Sequence, residues 1–460
     1  MLGSSSAARF AVGELFCGVG GLSRGFHSLG FQPIFANDAW DLALHNFLMN
    51  FDGGYARNPS GGARDILALP GSVEDVKVSQ LLGHVVHPGS AKKLDFGDLD
   101  VLLGGPPCQG FSLNSHIRSA DDPRNHLFRH YVRLLRGLSP KVFVLENVPG
   151  MLSLNGGAFI EELVRKISTS RANGCPGYEL DLRILNAAHY GVPQERFRIV
   201  MVGTRRDVAD KAGLVKLPLP KHFSLAQAHF KGGRTHTFHY AIGYGKRPPA
   251  DELPHIGPRL ASPIRVSEAI GDLPPLQNGG GQDVSVYEDT QSDQLTDFQQ
   301  QMRGDCRVLT NHWCRELLPP NDERVKHIPI GGDWRSIPKE LLPPGMQRAL
   351  RKDHTKRYGR FAPTDLPGTL LTKPDPHWGT FLHYDVKQQR LISVREAARI
   401  QSFPDSHTFF GSQVDQYRLC GNAVPPLMAK AVAIEVQKVL DCYHVDARGR
   451  RKTKRLAGGR

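Results

Sequence analysis

Ala11-Val-Gly-Glu-Leu-Phe16-Cys-Gly18-Val-Gly20-Gly21 carries an apolar strand straight into a glycine-rich turn. Leu22–Leu29 follows with helical spacing. Glycines between a strand and a helix let a nucleotide approach the backbone, where free N–H groups meet it. The spacing is G-x-G-G, not the full G-x-G-x-x-G of dinucleotide sites, so the turn alone leaves a plain packing turn open. Working outward, Phe31–Ala36 reads as a second strand, with Asp38 at its end. Asp38 lies twenty residues after Gly18, where a carboxylate can accept from ribose hydroxyls. Trp40 can lie on a purine ring; a surface acid beside a core indole is the plainer alternative. Asp100–Leu103, Lys141–Leu145 and Arg198–Val202 are further strand candidates, with helical patterns at Leu127–Leu138 and Ala158–Ser168. This alternation predicts an α/β domain around a largely parallel sheet.

The chain of 460 residues suggests two or three domains. A hydrophobic share of 40% with 22% charged residues excludes a wholly disordered chain. The net charge of +13 favours a polyanionic partner. No apolar run approaches a membrane span of about 20 residues, and no secretory pattern opens the sequence. Seven cysteines, with no C-x-x-C pair, argue against a disulfide framework or a zinc knuckle and for a reducing compartment. No metal ligand set is expected.

The texture changes after residue 206. Residues 207–389 hold most of the Pro–Pro and Gly–Gly punctuation, and read as a second, loop-rich domain. Ser393-Val-Arg-Glu396 is a capping-box pattern that opens a helix toward Ser402, and Leu427–Leu440 has helical spacing. The expected division is a first catalytic part at 11–206, the loop-rich domain at 207–389, a return at 390–441 and a disordered basic tail at 442–460.

Three more stretches can carry chemistry. In Asp100-Val-Leu-Leu-Gly-Gly-Pro106-Pro107-Cys108-Gln109-Gly-Phe-Ser112 a strand stops at glycines and two prolines stiffen the approach to a cysteine. A thiol on such a loop is badly placed for a core and well placed for reaction; an inert buried cysteine is the alternative. Lys141-Val-Phe-Val-Leu-Glu146-Asn147-Val148 runs an apolar strand into a carboxylate at its C-terminal lip, where α/β sheets bind ligands. Partial burial there raises a carboxyl pKa and lets it hold a proton; a helix-capping or loop carboxylate is the alternative. In Gln194-Glu-Arg196-Phe-Arg198 both arginines share strand period and face one side, where a guanidinium fork recognises carbonyl or phosphate oxygens; a pair of surface arginines on an edge strand is the alternative. They stand at the start of their strand. To share a site with Cys108 and Glu146, that strand must run antiparallel to the others.

Together, in this order, these motifs resemble the DNA (cytosine-5) methyltransferase family. The C-terminal Arg395-Glu396-Ala-Ala-Arg399-Ile-Gln401-Ser-Phe403-Pro404 and Gly421-Asn422-Ala-Val424 match its last two motifs. The resemblance covers about residues 11–206 and 389–440, and makes 207–389 the family's variable target-recognition region. Two departures stand out: Leu419 replaces a common glutamine, and Asp38 replaces a commoner glutamate. The implied fold is a Rossmann-like methyltransferase sheet, mostly parallel with one antiparallel strand, beside a smaller target-recognition domain.

The resemblance implies S-adenosyl-L-methionine as cofactor and S-adenosyl-L-homocysteine as product. Phe16, Gly18, Gly20, Asp38, Trp40, Asp75, Val76, Pro106, Asn422 and Val424 would hold it, with Asp75 facing the adenine and Asp65 as the competing choice. It implies double-stranded DNA as partner, no membrane, and a monomer. Cys108 would add to C6 of a flipped-out cytosine, Glu146 would serve N3, and Arg198 with Arg196 would hold O2. Gln109–Asn125 would be a mobile loop bringing Gln109, Ser112 and Arg124 to the DNA. Arg351, Lys352, Lys356 and Arg357, within the basic run 348–360, would contact phosphates. A compact chain leans toward a bacterial modification enzyme of a restriction system. That expectation puts it in the cytoplasm at the nucleoid, or in the nucleus for a eukaryotic source. The alternatives are a tRNA cytosine-5 methyltransferase, a regulatory DNA methyltransferase and a noncatalytic DNA-binding module. A nicotinamide oxidoreductase would share the glycine turn but leave Cys108, Glu146 and the arginines unexplained.

Overall fold

The computed structural model describes residues 10–51, 66–88, 92–107, 126–169, 174–222, 228–229, 235–236, 260–287, 294–348, 357–373, 375–377 and 379–456. Cys108, Gln109, Ser112, Arg124, Arg351, Lys352, Lys356 and Asp65 lie outside the described residues.

Seven strands form the central sheet: β1 (Phe10–Leu15), β2 (Phe31–Asp38), β3 (Leu67–Pro70), β4 (Val101–Gly104), β5 (Val142–Asn147), β6 (Tyr178–Asn186) and β7 (Phe197–Arg205). Their order is β3-β2-β1-β4-β5-β7-β6. The β1, β2, β3, β4 and β5 pairings are parallel, and β7 runs antiparallel to both β5 and β6. The sheet is therefore parallel except for β7, the strand that carries Arg198. Every residue of β1 and β4 is buried, which suits strands covered by helices on both faces.

Helices α1 (Gly21–His27), α2 (Asp41–Phe51), α3 (His126–Leu138), α4 (Ala158–Ser168) and α5 (Arg206–Ala212) flank the sheet. After the middle region the chain returns with α6 (Val394–Ile400), α7 (Gln413–Asn422) and α8 (Pro426–Leu456). Ser393 is the N-cap of α6, and its capping box with Glu396 forms as the sequence predicts.

The return is docked on the first part by specific contacts. Two asparagines one turn apart on α2 act like a strand edge. Asn46 and Asn50 donate from Nδ2 to the carbonyls of Phe410 and Thr408, at 3.2 and 2.8 Å. Their Oδ1 atoms accept from the same residues' N–H groups at 2.8 and 2.9 Å. Helix α8 lies across α1 and α5, and Met428, Val432, Val436 and Leu440 join Phe10, Val12, Leu103 and Val144 in one buried cluster. By length and hydropathy Gln413–Val445 could cross a membrane; 61% of its apolar window is buried in this packing.

Two boundaries differ from the sequence expectation. Val208, Val215 and Leu217 belong to the core under α8, so catalytic packing continues past residue 206. The tail expected to be disordered from 442 is helical to Leu456. Its start is anchored: Lys211 lies 5.0 Å from the Tyr443 ring, and His444 Nε2 is 3.4 Å from the buried Asp100. Within 260–389 the described helices have seven residues or fewer and the described sheets have two strands each, as the turn-rich sequence predicts.

Candidate active site

The C-terminal ends of β1, β2, β4 and β5 and the start of β7 meet at one lip of the sheet, above a cavity of about 1760 Å³. Phe16, Gly18, Asp38, Trp40, Pro106, Glu146, Arg196, Arg198, Asn422 and Val424 line it together. These residues span the chain from 16 to 424, and the sheet order is what gathers them.

The glycine turn is built on left-handed backbone. Phe16, Gly18 and Gly20 have φ of 57°, 53° and 80°. A Cβ on Gly18 would meet nothing within 4 Å, so its Cα face opens on the cavity. The Gly18 N–H donates to Asp38 Oδ2 and the Trp40 N–H to Asp38 Oδ1, each at 2.8 Å. Each Asp38 oxygen keeps a second lone pair for a ligand hydroxyl. Burial raises the Asp38 pKa, against the lowering pull of these backbone donors. Beside it Glu14, 3% exposed, is pushed up to about 8 by burial and accepts from the Ser23 hydroxyl. At pH 7 Glu14 is thus mostly protonated and neutral, and Asp38 is the carboxyl of this wall that offers acceptors to a ligand. Cys17 is buried, and burial lifts its thiol well above the usual range, which leaves it inert.

The second wall holds the acid–guanidinium group. Arg198 Nε lies 2.7 Å from Glu146 Oε1. Burial raises the Glu146 pKa, while Arg198 and Arg196 pull it down. Arg196 is 1% exposed and donates from Nη2 to the Gly421 carbonyl at 2.9 Å. Its Nε and Nη1 meet no hydrogen-bond acceptor among the described residues. Burial, then Arg198, depresses its pKa. A Cβ on Gly105 would stand 3.4 Å from Glu146 Oε2, and Asn147 Nδ2 donates to the Pro106 carbonyl at 2.9 Å. The loop that leads to Cys108 therefore leaves β4 against the Glu146 carboxyl.

Other expected residues lie elsewhere. Gly20 does not line the cavity; a Cβ there would lie 2.3 Å from the Phe51 ring, so this glycine serves the packing of α1 on α2. Asp75 is exposed and Val76 is 3% exposed in the core. After β3 the chain turns at Gly71, φ 94°, and Ser72 and Val73 are the residues it brings to the cavity. Arg357 lies beside a smaller cavity of about 380 Å³ with Asp375 and His377. Arg360, counted in the basic run, is 1% exposed. Its guanidinium is spent on the carbonyls of Ile328, His383 and Val325.

Sequence reasoning missed several lining residues: Glu14, Asn37, Ser72, Arg418 and the segment 366–372. Gln194 sets that segment: its Oε1 accepts from the Leu370 N–H at 3.1 Å, and its Nε2 donates to Gln401 Oε1 at 3.2 Å. The available signal was the motif glutamine itself, which is fully buried.

The C-5 cytosine-specific DNA methylase family matches residues 10–438. Type II methyltransferase M.AgeI of Thalassovita gelatinovora is 31% identical over 91% of this chain and 97% of that protein. M.XorII of Xanthomonas oryzae pv. oryzae is 33% identical over 93% and 84%. DNA (cytosine-5)-methyltransferase 1 of Mus musculus is 28% identical over 93% of this chain, which spans 28% of that longer protein. A solved E. coli structure, described as a DNA modification methyltransferase encoded within a prophage, shares the fold at TM-score 0.60 and 22% identity, over 94% of this chain and 99% of that one. The residue order, the antiparallel β7 and the shared lip agree with these likenesses: the chain belongs to the C-5 cytosine-specific DNA methylase family and is a DNA (cytosine-5)-methyltransferase.

Proposed function

We propose that the chain methylates C5 of a flipped-out cytosine within a specific double-stranded DNA sequence, with S-adenosyl-L-methionine as methyl donor and Cys108 as transient nucleophile. The observation that carries the reading is the 2.7 Å Glu146–Arg198 pair, set on the same cavity as Gly18, Asp38 and the Pro106–Pro107 approach to Cys108. The cavity exceeds the roughly 300–1,000 Å³ of a single-ligand site, which leaves room for a cofactor and an extrahelical nucleoside together.

The residues fit the cofactor. Asp38 offers lone pairs to ribose hydroxyls, and Gly18 lets the backbone approach. When bound, S-adenosyl-L-methionine supplies an electrophilic methyl group on a sulfonium.

Cytosine C5 is a poor nucleophile. Addition of the Cys108 thiolate at C6, with a proton from Glu146 at N3, gives the ring enamine character. Arg198 and Arg196 hold O2. After C5 takes the methyl group, a base removes the C5 proton, the thiolate leaves and N3 returns its proton. The cysteine cannot reach C6 inside a stacked duplex, so the base must leave the helix.

The relatives named Type II methyltransferases support a role in modifying DNA beside a restriction nuclease. The test is methylation of plasmid DNA with labelled cofactor, followed by bisulfite sequencing. Conversion-resistant cytosines should fall in one short sequence. Label in RNA alone, or none, overturns the reading. With 5-fluorocytosine in the target, the wild-type chain should form a denaturation-resistant adduct that Cys108→Ser does not.

A further inference from the structure

We propose that Arg418 is a positioning residue for the cofactor, acting through Trp40. The inference rests on the S-adenosyl-L-methionine reading above. Arg418 stands on α7, in the C-terminal return, with its guanidinium carbon 4.5 Å from the centroid of the Trp40 ring. Both residues line the large cavity. Trp40 is the residue just before α2, and its N–H is held by Asp38 Oδ1 at 2.8 Å. The indole is thus tied to the ribose-binding acid at its backbone and covered by a cation from residues far along the chain at its ring.

The contact is imposed by the fold. The Asn46 and Asn50 amides lock α2 to Thr408 and Phe410, just ahead of α7. Leu42 closes the same seam: a Cβ on Gly411 would lie 2.8 Å from its Cδ2. With α2 and the return held in one register, Arg418 falls over Trp40 and the following Gly421–Val424 reaches the cavity. A guanidinium over an indole face is attracted by the ring quadrupole and restricts its rotamers. Arg418 itself is exposed, and the contact recorded for its guanidinium among the described residues is the Trp40 ring, so its role does not depend on a carboxylate partner. What it gives the site is an indole whose orientation is fixed before the purine arrives, so less ordering is left to binding.

The test is calorimetry of the full chain with S-adenosyl-L-homocysteine. Arg418→Met should weaken binding by about 3- to 10-fold, the range open to a partly exposed cation–π contact. Arg418→Lys should recover most of the loss. In a Trp40→Leu background, Arg418→Met should change affinity less than twofold, because its effect passes through the ring. In turnover the loss should fall on the KM for the cofactor, with kcat at saturating cofactor unchanged. Affinity unchanged or tightened in Arg418→Met, or a loss just as large in the Trp40→Leu background, overturns the proposal while leaving the cofactor reading intact. A wild-type chain that gives no heat with S-adenosyl-L-homocysteine overturns both.

Discussion

The role proposed for Glu146 needs it to hold a proton, and its neighbours oppose each other on that point. Burial raises its pKa, whereas Arg198 at 2.7 Å and Arg196 lower it, and the net shift is upward. Activity that needs the protonated form is present below the folded pKa and lost as pH rises through it. Removing the Arg198 charge takes away a lowering influence. Arg198→Leu should therefore cut kcat by about a hundredfold or more, the scale of a lost electrostatic contact, and move the basic limb of its residual pH profile upward. A downward move would count against Glu146 as the group that titrates. Glu14 gives the matching stability test. Its folded pKa of about 8 lies above the ordinary 4.5, so the native state holds a proton the unfolded state has lost across that window. Stability contributed by Glu14 is full below about pH 4.5 and falls as pH rises toward 8. Glu14→Gln should flatten this slope in urea denaturation between pH 5 and 8; parallel slopes would reject the assignment. Glu146 was legible as the carboxylate that ends an apolar run. Glu14 was not, because it stands inside β1, where nothing but the three-dimensional burial marks it. Asp75 is exposed and does not line the cavity, whereas the Gly71 turn brings Ser72 and Val73 to it, a shift that residue type alone does not mark.

At the scale of elements, α1 and α8 meet through absent side chains. A Cβ on Gly21 would lie 2.2 Å from the Val424 carbonyl oxygen, and one on Gly25 would lie 2.4 Å from the Lys430 nitrogen and 2.5 Å from Ala429 Cβ. These glycines are one helical turn apart and share a face. In an isolated helix Gly→Ala gains about 1 kcal/mol. Here the added methyl meets backbone, which cannot rotate away, and overpacking costs about 1–3 kcal/mol or more. Gly25→Ala should thus lower the urea midpoint, and because α8 starts beside Val424 it should also weaken cofactor binding. A stabilised variant would show that the helices can separate at no cost. Sequence periodicity found both helices, since each keeps an apolar stripe, but spacing cannot say which glycines touch a partner. The same limit hid α2, where buried Asn46 and half-buried Asn50 interrupt the stripe to pair with the return. It hid β6 as well, an edge strand in which Glu179, Asp181 and Arg183 alternate with Leu180, Leu182 and Ile184. The antiparallel sense of β7 was legible because chemistry demanded it: arginines at a strand's start reach the common lip only if that strand is reversed.

Across the whole molecule, the loop-rich middle and the catalytic return are fused by buried charge. Arg399 on α6 is fully buried and lies 2.6 Å from Asp405 and 3.1 Å from Asp272, while Tyr287 donates to Asp405. Nearby, Arg390 pairs with Glu396 at 2.7 Å. Asp272 and Tyr287 belong to the stretch the sequence divides off at 207–389, so that stretch is not a detachable module. Breaking one member leaves unpaired buried carboxylates at a cost of about 3–5 kcal/mol, and Arg399→Met should unfold at much lower urea than the wild-type chain. The consequence for target choice is specific. Loops on a rigid support are where recognition resides, and base-edge contacts, not phosphate contacts, select the sequence. Exchanging 218–389 for the corresponding segment of M.XorII, with Asp272 and Tyr287 kept, should move methylation to that enzyme's target, because residues 207–217 stay in the core under α8 and the Arg399 network stays closed. The same exchange without those two residues should yield a chain that fails to fold. Bisulfite sequencing of plasmid methylated by the first chimera reads the outcome directly. If it folds, methylates and keeps the original target, the sequence is read by the catalytic half and by the return, and the middle region serves only to hold them together.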